Sequence, residues 1–267
     1  MRMKIGTAVL CSAGVLAAGL WSSASAAVFT VTVDGVDAIF LAGRTDVTIP
    51  AANLPWTDPP GGFLIRHGGN TPEELAGQGL EQFPGFIPVA GGDVIRVLDP
   101  AVGGVNFFNG FGPAFFGPGG NGLSGSNLTA LNGISGYRGP QGPLAAVFLD
   151  NSVPNAGSPP PTLNFDLGID FATLSPELRQ VFYIGDGITS GGDFQTFIAP
   201  AGATRLFLGI PDGFGFVNGP GAYDDNDGFY QVRVGVNEVP TAPEPGSLAL
   251  LGLGCVALIA GRRKRPR

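Results

Sequence analysis

The densest group of hard oxygen donors in this 267-residue chain is Tyr223-Asp224-Asp225-Asn226-Asp227-Gly228, with Asp212 a short way upstream. Carboxylate and amide oxygens delivered from two neighbouring loops, completed by main-chain carbonyls, are the donor set of a Ca2+ site, which takes about six to eight oxygens. An EF-hand loop does not fit. With Asp225, Asp227 and Gly228 at its third, fifth and sixth positions, Tyr223 would stand first and Val234 last, and neither is a ligand. The same residue types also make ordinary surface turns, so a plain turn is the alternative.

Other chemistry has less to stand on. His67, in Arg66-His67-Gly68-Gly69, is the only histidine. A zinc site or a catalytic dyad needs partners for it, so it reads as a surface or turn residue. The 21 acidic residues allow many carboxylate pairs for glycoside hydrolysis, but nothing singles one out, and an enzyme is not expected. Gly185-Asp186-Gly187 and Ser190-Gly191-Gly192-Asp193 are turns without the lysine and helix of a phosphate loop.

The elements that would position the acidic loop are short strands. In Arg205 to Ile210, Leu206, Leu208 and Ile210 share a face; in Phe229 to Val234, Tyr230, Val232 and Val234 do, opposite Gln231 and Arg233. Both read as half-buried antiparallel strands. Further candidates are Val28 to Val33, Ala38 to Leu41, Asp46 to Ile49, Phe63 to Ile65, Asp93 to Leu98, Leu144 to Leu149, Thr162 to Leu167, Phe182 to Ile184 and Thr196 to Ile198. Helix starts are confined to Thr71-Pro72-Glu73-Glu74 and Ser175-Pro176-Glu177-Leu178. The expected fold is all-β, a jelly-roll-like antiparallel β-sandwich with long Gly-rich loops, the richest running from Gly103 to Gly142.

Two resemblances sharpen this reading. Leu208-x-x-x-Asp212, then Pro220-Gly221-Ala222-Tyr223-x-Asp225-Asn226-x-Gly228 and a closing strand, resembles the end of the PA-I-like bacterial lectins, jelly-roll domains that bind galactose through calcium. Upstream, Gly92-Asp93-Val94-Ile95-Arg96-Val97 and a loop ending Phe111-Gly112-Pro113 parallel the same family. The resemblance implies metal ligands at Asp212, Asp225, Asn226 and the carbonyls of Ala222 and Phe111; a sugar completing the shell beside Asp212 and Asn226 would want an adjacent aromatic such as Tyr223 or Phe111. Asp225 stands where the family has asparagine, and Gly213 to Asn218 are extra residues between Asp212 and the Pro-Gly turn. The segment that carries the family's sugar-clamping histidine and glutamine offers only Gln141.

The second resemblance concerns the last residues. Pro243-Glu244-Pro245, an apolar run from Leu248 to Ala260 and the basic cluster Arg262-Arg263-Lys264-Arg265 resemble the PEP-CTERM sorting signal. That implies a short membrane helix, transient anchoring in the inner membrane, and cutting near Pro-Glu-Pro by an exosortase. Counted from Ser247 to Gly261, the helix would span roughly 22 Å, short of a hydrocarbon core of about 30 Å. At the other end Arg2 and Lys4, an apolar stretch from Ile5 to Trp21 and a small-residue site ending Ala24-Ser25-Ala26 read as a signal peptide for signal peptidase. The expected division is signal peptide 1–26, sandwich 27–239 and sorting signal 240–267.

Cys11 and Cys255 both fall in the removable segments, so the mature domain has neither disulfide nor thiol chemistry. Two basic residues leave with the first segment and five with the last. Seven of 14 remain, all arginine, against 21 acidic residues if Glu244 is kept, for a net charge of about −14. That balance disfavours nucleic acid and anionic membrane, and suits divalent cations and neutral glycans. The expected protein is non-enzymatic, secreted or on the cell surface. Its expected partner is an extracellular polysaccharide bound through calcium; the alternative is a structural matrix protein with a loop-pinning calcium or none.

Overall fold

The computed structural model describes residues 26–50, 81–107, 115–122, 124–154 and 157–238. The expectations for Phe63 to Ile65, His67, Thr71 to Glu74, Phe111, and the two terminal segments fall outside the described residues.

The described residues form twelve strands: β1 (Ala27–Asp34), β2 (Phe86–Pro88), β3 (Val94–Asn106), β4 (Ser124–Leu128), β5 (Tyr137–Pro140), β6 (Ala145–Leu149), β7 (Thr173–Leu174), β8 (Val181–Tyr183), β9 (Thr196–Ile198), β10 (Arg205–Gly209), β11 (Val217–Asn218) and β12 (Asp227–Val236). Among the described residues no helix reaches seven residues, and none is long and apolar enough to cross a membrane. The architecture is the expected all-β sandwich.

A five-stranded sheet in the order β1-β12-β3-β9-β7 faces a four-stranded sheet, β2-β10-β6-β8, and a smaller sheet joins β11, β4 and β5. Pairing is antiparallel except between β11 and β4 and between β7 and β9. Phe182 of β8 joins the two large sheets, its ring 5.2 Å from Phe148 of β6 and 5.4 Å from Phe197 of β9. Phe165 ties in the small sheet, lying 6.1 Å from Tyr137 of β5 and 6.0 Å from Tyr183 of β8.

Where the sequence alternates, the strand faces are as expected. In β12 Tyr230, Val232 and Val234 are buried, while Phe229, Gln231 and Arg233 are exposed. β10 differs, because Phe207 on its other face is buried as well. It is an inner strand between β2 and β6, and the ring of Phe86 and the guanidinium of Arg205 cover Phe207 at 5.6 and 5.3 Å. A strand buried on both faces loses its polar alternation.

Four expected elements take other forms. Ala38 to Leu41 holds a buried 3-10 turn at Ile39–Leu41, closed by Leu41 N–H donating to Ala38 O at 2.8 Å. An all-apolar run has no period that separates strand from helix. Asp46 to Ile49 forms no strand, and Asp46 is turned back to accept from buried Arg44 at 2.6 and 3.0 Å. In Thr162 to Leu167 the Asn164 side chain accepts from Asp166 N at 3.0 Å and starts a 3-10 turn at Phe165–Leu167. Ser175 to Leu178 makes a turn and no helix, with Gln180 Oε1 accepting from Glu177 N at 2.9 Å and Arg179 left-handed at φ 67.

Within Gly103 to Gly142, β3 continues through the glycines to Asn106. Gly103 is required there: at φ 109, an added Cβ would lie 2.2 Å from Phe229 O. The hydroxyl of buried Tyr230 then reaches the carbonyls of Phe116, Gly117 and Gly142 at 3.2, 3.1 and 3.1 Å. One proton serves three acceptors, so Tyr230→Phe should cost about 1–2 kcal/mol, read as a lower urea midpoint at unchanged slope. An unchanged midpoint would show that the hydroxyl contributes nothing.

Candidate metal centre

Asp212 lies just beyond β10, and Ala222 to Asn226 form the turn that enters β12. Ala222 takes left-handed angles, φ 62 and ψ 26, then Tyr223–Asp225 makes one 3-10 turn that Asn226 leaves in extended geometry. Three hydrogen bonds bring the two segments together. Gly221 N–H donates to Asp212 O at 3.0 Å, Asp212 N–H donates to Tyr223 Oη at 3.2 Å, and Tyr223 Oη donates to Ile210 O at 2.7 Å. These bonds join residues some ten positions apart within a loop-rich end, which is why a broken sequence pattern converges on one place.

Asp212, Asp225 and Ala222 line a cavity of about 310 Å³ together with Phe107, Gln141 and the Gly213 to Phe216 segment. Asp212, Asp224, Asp225 and Asn226 are all buried. Burial, then the carboxylates of Asp225 and Asp224, hold the Asp212 carboxyl well above the usual carboxylate range, although it accepts from Gly213 N at 2.7 Å and from Asn226. Burial and the Asp224 carboxylate likewise push Asp225 up to about 7. Both shifts report the same physics: negative charge taken from water and placed beside like charge.

Asn226 completes the group. Its Nδ2 donates to Gly35 O at 2.9 Å, and because a carbonyl only accepts, that bond fixes the amide orientation. Its Oδ1 is buried and accepts no hydrogen bond within the described residues. An orphan amide oxygen next to paired carboxylates is the donor type that Ca2+ takes. Among the described residues no group of three or more Asp, Glu, His or Cys side chains is arranged to hold a metal. The side chains offered to the cavity are therefore two carboxylates, with amide, carbonyl, water or ligand oxygens needed to complete a shell.

The structure thus joins Asp212, Asp225 and Ala222 in one cavity, with Asn226 beside Asp212. Tyr223 sits differently from the sequence expectation. It is 1% exposed, with its hydroxyl committed to Ile210 and Asp212, and it braces the site from the core without facing a ligand. Outside the expected ligand set, Phe107, Gln141 and the Gly213 to Phe216 segment line the cavity, and Gly35 stands behind Asn226. The Phe-Gly-Phe spacing inside the extra segment is a sequence signal that could have found Phe214 and Phe216.

At the far end of the chain, the family model of the PEP-CTERM protein-sorting motif matches residues 241–265. The chain carries an exosortase sorting signal. It is an exported, exosortase-processed protein of the cell surface or exterior, and Pro243, Glu244 and Pro245 fall inside the matched segment. No curated protein and no solved structure matches the chain. The lectin resemblance of the body therefore rests on the quoted residues alone.

Proposed function

We propose that this exported protein holds a calcium ion in the Asp212 and Asp225 cavity and binds extracellular carbohydrate through it, as a non-enzymatic surface or matrix protein. The observation that carries the reading is the pair of buried carboxylates facing one open cavity, with the orphan Oδ1 of Asn226 alongside. A divalent cation would offset the cost of confining two negative charges away from water, and sugar hydroxyls would complete its shell. Signal peptidase and transient membrane anchoring belong to the same proposed route to the surface.

Two other readings have an observation behind them. The buried position of Tyr223 removes one expected sugar contact, which favours a structural matrix protein whose calcium only pins the 212 and 222–226 loops. Two carboxylates converging on a cavity are also the minimum for glycoside hydrolysis. One experiment separates the three. The mature protein is adsorbed to extracellular polysaccharide from its producing culture and washed with EDTA, with magnesium as control. Calcium-bridged binding predicts release by EDTA and rebinding on calcium addition. Retention through EDTA defeats the bridge, and release of reducing sugar by the bound protein would make it a hydrolase.

A further inference from the structure

The segment Gly213 to Asn218 separates Asp212 from the Pro-Gly turn, and its conformation is unusual. Six non-glycine residues of the described chain have positive φ, and three of them, Phe216 (φ 59), Asn218 (φ 65) and Ala222 (φ 62), fall within seven residues here. A bulky residue such as phenylalanine in that region is a backbone outlier that the surroundings must impose. They do so by Phe216 N–H donating to Gly213 O at 2.6 Å, by Thr129 N–H donating to Asn218 O at 2.7 Å, and by the parallel pairing of β11 with β4. Gly213 admits no side chain, because a Cβ would lie 2.7 Å from Leu128 and 2.8 Å from Gly219 O.

What this strained geometry delivers is an aromatic wall. Phe216 packs edge-on to Phe107 at 5.5 Å, and Phe107 stacks on Phe116 at 5.9 Å, so these rings are locked. Gly142 must be glycine for the same reason, since its Cβ would lie 2.0 Å from the Phe107 ring. Phe214 lines the same cavity yet is 50% exposed, which places its ring at the mouth. The cavity therefore has an acidic floor and an aromatic side.

We infer that Phe214, presented by the Gly213 to Asn218 segment, is the specificity-determining platform of this site, and that the ligand is a single neutral pyranose ring whose apolar C–H face lies against it. This rests on the calcium-bridged reading above. A volume of about 310 Å³ is at the small end of ligand pockets and holds one sugar ring, not a longer stretch of chain. With calcium held by Asp212 and Asp225, the two carboxylates balance the charge of the ion, so the ligand needs no charge of its own. The hydroxyl edge of the ring turns to the floor and its C–H face to the aromatic wall, an amphipathic match that neither half of the cavity makes alone.

The test uses the full mature protein with methyl galactoside, methyl glucoside, methyl mannoside, galacturonate and glucosamine as probes, by calorimetry with and without calcium. At least one neutral glycoside should bind in calcium. Phe214→Ala and Phe214→Leu should weaken it tenfold or more, Phe214→Tyr should keep it within about threefold, and all three variants should retain the wild-type calcium-induced melting shift. Equal binding by Phe214→Ala overturns the inference, as does preference for galacturonate, or for glucosamine without calcium, which would make the cavity an organic-cation site. A wild-type calcium shift with no probe bound overturns it too while leaving the metal in place. Loss of the calcium shift in the wild type defeats the parent reading instead.

Discussion

Millimolar calcium should raise the melting temperature of the mature protein, and Asp212→Asn and Asp225→Asn should each remove most of that rise. An ion bound only by the folded state stabilises it by about 2.7 kcal/mol at a hundredfold excess over Kd. For a domain of this size that corresponds to a rise of roughly 5–10 °C. The same substitutions should act with the opposite sign in EDTA at pH 8, where each variant should melt above the wild type. The carboxyls of Asp212 and Asp225 are held above their usual range by burial and by neighbouring carboxylates, so ionising them costs stability that a neutral amide does not. Asn at 212 can still accept from Gly213 N through its oxygen, so the variant keeps the local hydrogen bond. His67→Ala should leave both measurements unchanged. Scanning fluorimetry of the four proteins with calcium and with EDTA is sufficient. No calcium effect in the wild type would defeat the metal reading, and Asn variants that melt lower in EDTA would show that the buried charge is not a burden.

Metal-free protein should lose stability as pH rises from about 4.5 to 7.5. Three buried acids set this window: Asp37, pushed up to about 6 by burial and the Asp34 charge, Asp225, pushed up to about 7, and Asp212, held well above the usual carboxylate range. Below the ordinary aspartate value of 3.8 both folded and unfolded chains hold these protons, and the contribution is fully present. Above it the unfolded chain releases them first, so stability falls with pH and is lost as pH passes the folded values. Each tenfold difference in proton affinity between the folded and unfolded chain is worth about 1.4 kcal/mol, and Asp212 and Asp225 titrate as a coupled pair across the window. Asp150 and Asp170, held low by the hydroxyls of Ser152 and Ser190, act on the acid side of 3.8 and do not offset it. Calcium should reverse the trend, since the ion competes with the same protons and its effect grows with pH. Urea unfolding at pH 4.5, 6 and 7.5, with EDTA and with calcium, reads both slopes. Stability that climbs with pH in EDTA would contradict the burial of these acids.

The two predictions use different parts of the chain, and they were legible in it to different degrees. Asp212, Asp225 and Asn226 could be singled out because hard oxygen donors at the end of one strand and the start of the next are rare in a chain with few charges. That Tyr223 would turn inward could not be seen, because an amphipathic ring fits a ligand platform or a core brace equally well. Its hydroxyl is claimed by Ile210 and Asp212 only once the two loops have met. Gly35, 191 residues from Asn226 in sequence, is a partner no local pattern could supply.

For the fold, the alternation of Tyr230, Val232 and Val234 against Gln231 and Arg233 specified β12 and its faces, because one side of that strand meets water. The sorting motif at 241–265 was equally plain, because such a signal is read from one short contiguous segment. The sequence by itself thus determined the sorting signal, the all-β class and the acidic loop. Tertiary structure alone decided that β10 is buried on both faces, that Ile39–Leu41 coils where a strand was expected, and that Phe107, Phe214 and Phe216 wall the cavity. The physical reason is the same in each case. Local periodicity records contact with water, whereas these positions are set by which distant surfaces cover them, and a chain shows that covering only after its sheets have packed.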